Sequence, residues 1–161
     1  MLMMHQTQRL VTLSREIMKM KRRDSLAILF LIICCENISK LQDGYHREGK
    51  SRYYVRRFFS DFVDSPSQEQ LVTKMFFEID EQATLEQIVD TLYAVRCDVV
   101  HAGKYWGFSF SDDGGITTAA DGGEPPLYTR ITLQQFSDIV AHGCIRAMSS
   151  LLPTAGPNPS S

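Results

Sequence analysis

The stretch LYAVRCDVVHAGKYW, residues 92–106, decides the fold prediction because it reads as the end of an amphipathic helix with two residues out of place. At roughly 100° of rotation per residue, one side of this helix gathers apolar side chains around Arg96; they are Leu85, Ile88, Val89, Leu92, Val95 and Val99. A buried guanidinium is strongly unfavourable unless a carboxylate, carbonyls, phosphate or water meets it. Glu36, which interrupts another apolar run, is a candidate partner.

His101 occupies the last turn of the same helix, and Gly103 follows as a helix stop. Residues five apart on a regular helix are separated by roughly 140°, so one face does not hold both Arg96 and His101. Either the helix loosens at His101, or the two residues converge across a two-fold interface. Cys97 and Asp98 lie within side-chain reach of His101, and Asp98 could orient or charge the imidazole. The competing interpretation is structural: an ion pair for Arg96, and helix-end carbonyls satisfied by His101.

Helical periodicity dominates the chain and predicts an all-α bundle of five or six helices. Besides the helix of the quoted stretch, the pattern predicts helices over residues 6–22, 26–41, 51–63, 67–77 and 132–152. Three capping boxes mark helix starts: Ser67 with Gln70, Thr84 with Gln87, and Thr132 with Gln135. The helix over residues 26–41 is apolar on most sides, so we expect it at the centre of the bundle.

Residues 105–130 break the helical pattern just before the last helix. YWGFSF alternates and is aromatic, DDGG and DGGEPP are turn signals, and PLYTRI suits a returning strand. This segment is therefore predicted to be a small β-hairpin or a long ordered loop inserted into the bundle. We expect one domain over residues 1–152 and a disordered tail over residues 153–161, PTAGPNPSS.

Composition narrows the class of protein. The longest apolar run, residues 26–35, is too short to span a bilayer, and the first residues lack the pattern of a signal peptide. The four cysteines have neither zinc spacing nor the pattern of a small disulfide framework, which predicts reduced thiols in the cytoplasm. Residues 1–57 hold 12 Lys and Arg against 5 Asp and Glu, whereas residues 58–161 hold 5 against 14. The basic half could attract phosphates, or the two halves attract each other or face water.

The quoted stretch resembles the signature of the HEPN superfamily, an all-helical group. Its mark is an arginine, four to six further residues and a histidine, preceded by a hydrophobic-aromatic helix. In LYAVRCDVVHAGK, Arg96, CDVV and His101 give the four-residue version. Upstream, KSRYYVRRFFSDFV, residues 50–63, looks like the basic-aromatic helix of some uncharacterised HEPN-like proteins. The resemblance covers residues 5–152, but about a dozen residues carry its specificity.

The resemblance implies a function for the two motif residues. Many HEPN proteins are metal-independent endoribonucleases of toxin or defence systems, and they work as dimers. Arg96 and His101 would then be catalytic, with Cys97, Asp98 and Glu36 in support. The residue after the arginine is commonly polar, often asparagine, so Cys97 departs from the pattern. The toxin branch that pairs with a nucleotidyltransferase antitoxin has a tyrosine where this chain has Gly103, so we do not assign the chain to that branch.

The residue types fit cleavage of RNA without a metal or cofactor. A histidine can move the protons of the 2′-hydroxyl and the leaving oxygen, and an arginine can stabilise the charge on phosphorus. The chain has no metal-binding motif and no phosphate-binding glycine loop in the right context. A homodimer would supply two copies of the pair, one for the acid and one for the base.

Basic and aromatic residues outside the motif are candidates for holding RNA. The candidate cations are Arg52, Arg56, Arg57 and Lys104, with Lys19, Lys21, Arg22 and Arg23 on the preceding helices. Tyr53, Tyr54 and Trp106 could stack on bases, although aromatic side chains at helical spacing more often belong to the core.

Two interpretations of the whole chain remain open at this point. The first is a dimeric, metal-independent endoribonuclease in a toxin or defence context. The second is a non-catalytic HEPN-like module that binds RNA, an antitoxin or another partner protein, with Arg96 tied to Glu36 or Asp98 as a structural pair. A DNA-binding helical protein is a lesser candidate, because no helix-turn-helix spacing stands out.

Overall fold

The computed structural model describes residues 2–19, 23–44, 49–78, 81–120 and 126–151. Six helices lie in these ranges: α1 (Leu2–Met18), α2 (Asp24–Gln42), α3 (Ser51–Asp61), α4 (Ser65–Lys74), α5 (Leu85–Ala102) and α6 (Leu133–Ser150). Four short strands join them: β1 (Met75–Glu78), β2 (Glu81–Gln82), β3 (Thr117–Ala120) and β4 (Leu127–Thr129). The described chain is thus mainly helical with a small sheet.

Helix α2 is the central element of the bundle, as its apolar sequence predicts. It contacts α1, α3, α5 and α6, and residues along its length are fully or almost fully buried, among them Ala27, Ile28, Leu31, Ile32 and Ile38. A helix that is apolar on most sides is stable in water only when other elements cover it. The glutamate of this helix, Glu36, lies in the interior and is only 5% exposed.

Two of the three predicted capping boxes are confirmed. At the start of α5 the hydroxyl of Thr84 accepts the backbone N–H of Gln87 at 3.2 Å, and the side chain of Gln87 accepts the N–H of Thr84 at 2.9 Å. Thr132 and Gln135 make the same reciprocal pair at the start of α6. The sequence therefore fixes where the two longest helices of the second half begin.

The third capping box, at Ser67, is wrong. Helix α4 starts at Ser65, and its N-cap is Asp64, whose carboxylate accepts the N–H of Ser67 at 2.9 Å. Pro66 suits this register, because its ring fits the first helical turn, where an N–H is not needed. Aspartate is at least as good an N-cap as serine, so the helix begins two residues earlier than predicted.

The strand β1 replaces the predicted last turn of a helix over residues 67–77. Helix α4 ends at Lys74, and Met75 continues as a strand that pairs antiparallel with Thr129 of β4. The sheet order is β2-β1-β4-β3 with antiparallel neighbours. A short apolar run such as Met75–Glu78 suits a helix or a strand locally. The partner strand, more than fifty residues away in the chain, decides between them.

The inserted segment before α6 forms a hairpin whose second strand lies in PLYTRI, as predicted, but its first strand comes from different residues. Strands β3 and β4 pair antiparallel, and β3 comes from residues 117–120 rather than from YWGFSF. Phe108 and Phe110 are buried, while the backbone N–H groups of both bond to the start of α2: Phe108 to the hydroxyl of Ser25 at 3.0 Å, and Phe110 to the carboxylate of Asp24 at 2.7 Å. The insert is thereby fastened to the central helix.

Some predictions fall outside the described residues or shift in register. The first helix covers Leu2–Met18 rather than residues 6–22, and Lys21 and Arg22 lie outside the described residues. The tail over residues 153–161 and the predicted end of the last helix at residue 152 also lie outside them. The predicted third helix, residues 51–63, is two residues shorter, since α3 ends at Asp61.

We predict that Gly143→Ala destabilises the fold, because helix α6 meets the ring of Phe58 at this glycine. A Cβ atom there would lie 2.7 Å from Cζ and 3.1 Å from Cε1 of Phe58, which is fully buried. Alanine favours the helix by about 1 kcal/mol, but overpacking typically costs about 1–3 kcal/mol. The net loss in the free energy of unfolding, measured with urea, should therefore be up to about 2 kcal/mol.

The control for this variant is Gly107→Ala, where a Cβ would meet no atom within 4 Å. Its free energy of unfolding should stay within about 0.5 kcal/mol of the wild type. Equal stability of both variants would contradict the packing of α6 on α3.

Candidate functional site

Arg96 lies on the inner side of α5 and reaches the central helix. Its Nη2 atom is 3.4 Å from Oε2 of Glu36, and the two side chains are only 18% and 7% exposed. This contact confirms Glu36 as the partner that the apolar stripe around Arg96 requires. The Nε atom of Arg96 is buried and has no hydrogen-bond acceptor among the described residues, so the guanidinium retains unused donor capacity.

Glu36 receives three donors, and two of them carry positive charge. Besides Arg96, the ammonium of Lys40 lies 2.5 Å from Oε1 of Glu36, and the hydroxyl of Ser51 donates to the same oxygen at 2.6 Å. One carboxylate is therefore surrounded by two cations. The cluster keeps a surplus of one positive charge at the edge of the core, which favours the approach of an anion.

Tyr93 and Cys97 border the guanidinium on its own helix. The Cζ atom of Arg96 lies 5.6 Å from the centre of the Tyr93 ring, and its Nη1 atom lies 4.0 Å from the sulfur of Cys97. Partial burial raises the pKa of Tyr93, and a hydrogen bond with Cys97 adds to that shift. Cys97 thus supports Arg96 and Tyr93, and within the described residues no side-chain hydrogen bond joins it to His101.

His101 is exposed near the end of α5 and remains apart from Arg96. Helix α5 continues through Ala102, and Gly103 ends it in the left-handed region with φ of 64°. The backbone carbonyl of Asp98 accepts the N–H of Gly103 and, at 3.2 Å, that of Lys104. The helix does not loosen at His101, so the roughly 140° between the two motif residues persists. Within the described ranges the Asp98 carboxylate makes no hydrogen bond to the imidazole.

The arginines of α3 that were predicted to bind RNA are engaged with carboxylates of α5. Nε of Arg52 and Nε of Arg56 lie 2.8 and 2.7 Å from Oδ1 of Asp90, and Arg56 also pairs with Glu86. Partial burial would raise the pKa of Asp90, but the hydrogen bonds from Arg52 and Arg56 outweigh it and lower that pKa to about 2. These contacts clamp α3 onto α5.

Arg57 and Lys104, the other predicted RNA contacts, differ in their surroundings. Arg57 bonds to Asp61 on its own helix and to Asp43 after α2, at 3.1 and 3.2 Å. Lys104 is exposed beyond the end of α5. An RNA phosphate would have to displace carboxylates to reach Arg57, whereas no ion pair holds Lys104 among the described residues.

Sequence reasoning missed three residues that shape this region. Lys40 lies four residues after Glu36, the spacing of a helical ion pair, and that signal was available. Asp90 faces two arginines that are four apart on α3, Arg52 and Arg56, but their alignment depends on how α3 and α5 pack. Ser51 meets Glu36 for the same reason. The amino-acid sequence alone carries no local signal for such contacts between distant segments.

Comparisons with known proteins give no further identification: no family model, curated protein or solved structure matches this chain. In the described part of the chain, no helix has both the length and the apolar character needed to cross a membrane. Among the same residues, no group of three or more His, Cys, Asp and Glu side chains could hold a metal ion.

We predict that the clamp, the ion pairs of Asp90 with Arg52 and Arg56, makes the free energy of unfolding depend on pH. A carboxyl whose pKa is lowered in the folded state contributes stability above its ordinary value near 4, and that contribution disappears as the pH falls towards 2. Asp90→Asn should lower the free energy of unfolding by about 1–2 kcal/mol at pH 7, a modest loss because Arg52 and Glu86 are largely exposed.

Urea unfolding at pH 7, 5 and 3 checks this prediction. The gap between the wild type and Asp90→Asn should narrow between pH 5 and pH 3. Asp138→Asn on the exposed side of α6 is the control and should differ little from the wild type at any of these pH values. A gap for Asp90→Asn that stays constant from pH 7 to pH 3 would contradict the clamp.

Proposed function

We propose that this chain is a HEPN-like, cytoplasmic RNA-processing protein: a metal-independent endoribonuclease that acts as a homodimer, in a toxin or defence context, with Arg96 and His101 as its catalytic residues. One observation carries the proposal. The motif arginine is held at the edge of the core by Glu36, with its buried Nε unpaired among the described residues, while the motif histidine is exposed on the same helix. A purely structural arginine would ordinarily have its buried donors satisfied.

The chemistry assigns a separate role to each residue. Exposed His101 is reachable by a substrate and can take the proton of a 2′-hydroxyl or give one to the leaving 5′-oxygen. Arg96 can donate to the phosphoryl oxygens as negative charge grows on them. The positive surplus of the cluster with Lys40 and Glu36 favours a phosphate at this place.

The angle between the two residues supports the dimer. One chain directs Arg96 and His101 to different sides of α5, so a single phosphate meets both only if a second copy contributes. Val100 lies four residues after Arg96 on the same side of the helix and is 50% exposed. An exposed apolar residue there suits a contact between two α5 helices.

A second candidate function is a non-catalytic HEPN-like module that binds RNA or a partner protein. Two observations favour it: Arg96 forms the ion pair with Glu36 that a structural role would require, and Arg52, Arg56 and Arg57 are all neutralised by carboxylates of this chain. His101 also has no hydrogen-bond partner that would orient its ring, in the ranges that the structure describes.

Cleavage of a mixed-sequence RNA in EDTA separates the two functions. We expect the wild type to cleave and to have the mass of a dimer by light scattering, and His101→Ala to lose at least 100-fold in rate, the lower end for loss of a general acid or base. His142→Ala is the matched control, because His142 is an exposed histidine on α6. It should cleave like the wild type.

The endoribonuclease would be contradicted by cleavage that survives in His101→Ala, or by loss of cleavage in both histidine variants alike. A stable wild-type dimer that leaves the RNA intact would favour the binding module.

A further inference from the structure

A cleft of about 870 Å³ separates the C-terminal half of α5 from the inserted sheet. Thr91, Ala94, Val95 and Asp98 form its helical wall, and the opposite wall comes from the segment around Trp106 and from strands β3 and β4. Its volume lies in the range of small-ligand sites, about 300–1,000 Å³. The residues 105–130 that interrupt the helical bundle thus create a concave surface beside the motif helix.

His101 lies on the same side of α5 as this cleft. It follows Ala94 by seven residues, and residues seven apart on a helix are only about 20° from one another. Ala94 and Asp98 line the cleft, and Lys104 lines it just beyond the helix end. Arg96, at roughly 140° from His101, does not line it. His101 itself is not one of the residues that line the cleft, but the helix rotation places it one turn beyond Asp98 on the same side of α5.

Trp106 is the aromatic residue of this cleft that the core does not use. It is 67% exposed, it is the one tryptophan of the chain, and its ring meets that of Tyr105 edge to face at 5.0 Å. The guanidinium of Arg23 lies 4.6 Å from the centre of the Tyr105 ring. Of these residues, Trp106 and Lys104 line the cleft, so an exposed flat ring and a positive charge are available there, with Arg23 and Tyr105 next to the ring.

We propose that this cleft, which we call the insert cleft, binds an unpaired nucleotide of single-stranded RNA beside His101. The inference rests on the proposed function for the identity of the ligand. Trp106 stacks on the base, because every base offers a flat face to an indole ring. Lys104 meets the neighbouring phosphate, and the carboxylate of Asp98 accepts from an exocyclic amino group of the base.

The combination of features favours RNA over a protein partner. A protein interface of standard size needs a broad patch of about 800 Å² on each partner, whereas this site is concave and of nucleotide scale. Its walls alternate small residues, such as Ala94 and Thr118, with a ring at the rim. Charge also fits, since Lys104 lines the cleft and has no ion pair among the described residues.

Fluorescence of Trp106 tests the insert cleft directly, because no other tryptophan contributes to the signal. The wild-type protein is titrated with a single-stranded hexamer of 2′-O-methyl RNA, which lacks the free 2′-hydroxyl that cleavage needs. We expect saturable quenching by the single strand and at least tenfold weaker binding of the same sequence as a duplex, whose bases are already stacked.

Fluorescence polarisation of a labelled hexamer measures how tightly each variant binds the RNA. Trp106→Ala should bind about tenfold more weakly, the effect of losing roughly one stacked base. Lys104→Ala should bind more weakly and with a shallower dependence on salt. Ile145→Ala is the matched control, since Ile145 is an exposed apolar residue on α6, 58% exposed, and it should bind like the wild type.

The outcomes separate this inference from the proposed function. Cleavage that requires His101, together with unchanged binding by Trp106→Ala, would overturn the insert cleft and leave the endoribonuclease intact. Quenching and a tenfold loss in Trp106→Ala without any RNA cleavage would support the cleft and count against the nuclease. Conversion of a dimer into a monomer by Trp106→Ala would overturn the cleft, because it would assign Trp106 to a protein interface.

Discussion

The contact between Arg96 and Glu36 is the constraint around which the rest of the structure is organised. Helix α2 is covered by four other helices, so a glutamate on it requires positive partners from its neighbours. Arg96 of α5 supplies one and Lys40 the other. This pairing and the buried apolar stripe of α5, which includes Ile88 and Leu92, together set the rotation of α5 about its axis. That rotation directs Asp90 towards α3, leaves His101 in solvent, and turns Ala94 and Asp98 towards the inserted sheet.

Much of the helical framework could be predicted from the sequence because its signals are local. The capping pairs at Thr84 and Thr132, the stop at Gly103 and the apolar run of α2 depend on residues close together in the chain. The strand at Met75 could not be predicted in this way, because its hydrogen-bonding partner, β4, is distant in the chain. The Ser67 cap failed because Asp64 caps the helix instead, accepting the N–H of Ser67 from outside the predicted helix.

In the candidate site, too, some contacts could be predicted from the sequence and others could not. The misplaced Arg96 and its partner Glu36 were recognisable, because a charged residue inside an apolar stripe must be compensated. The ion pairs of Arg52 and Arg56 with Asp90 were not recognisable from the sequence. These pairs hold α3 against α5, so part of the positive charge of residues 1–57 stabilises the bundle. Among the described cations without an ion pair, Lys104 lies just beyond the end of α5 and Arg23 lies beside Tyr105.

A double-mutant cycle on the free energy of unfolding tests the central contact most directly, with Glu36→Gln, Arg96→Met and the double variant. The account predicts a coupling energy of about 1–3 kcal/mol, the range for residues in one buried network. The exposed pair of Arg146 and Asp64, treated in the same way, should give less than about 1 kcal/mol. A coupling between Glu36 and Arg96 no larger than that of the exposed pair would contradict the account.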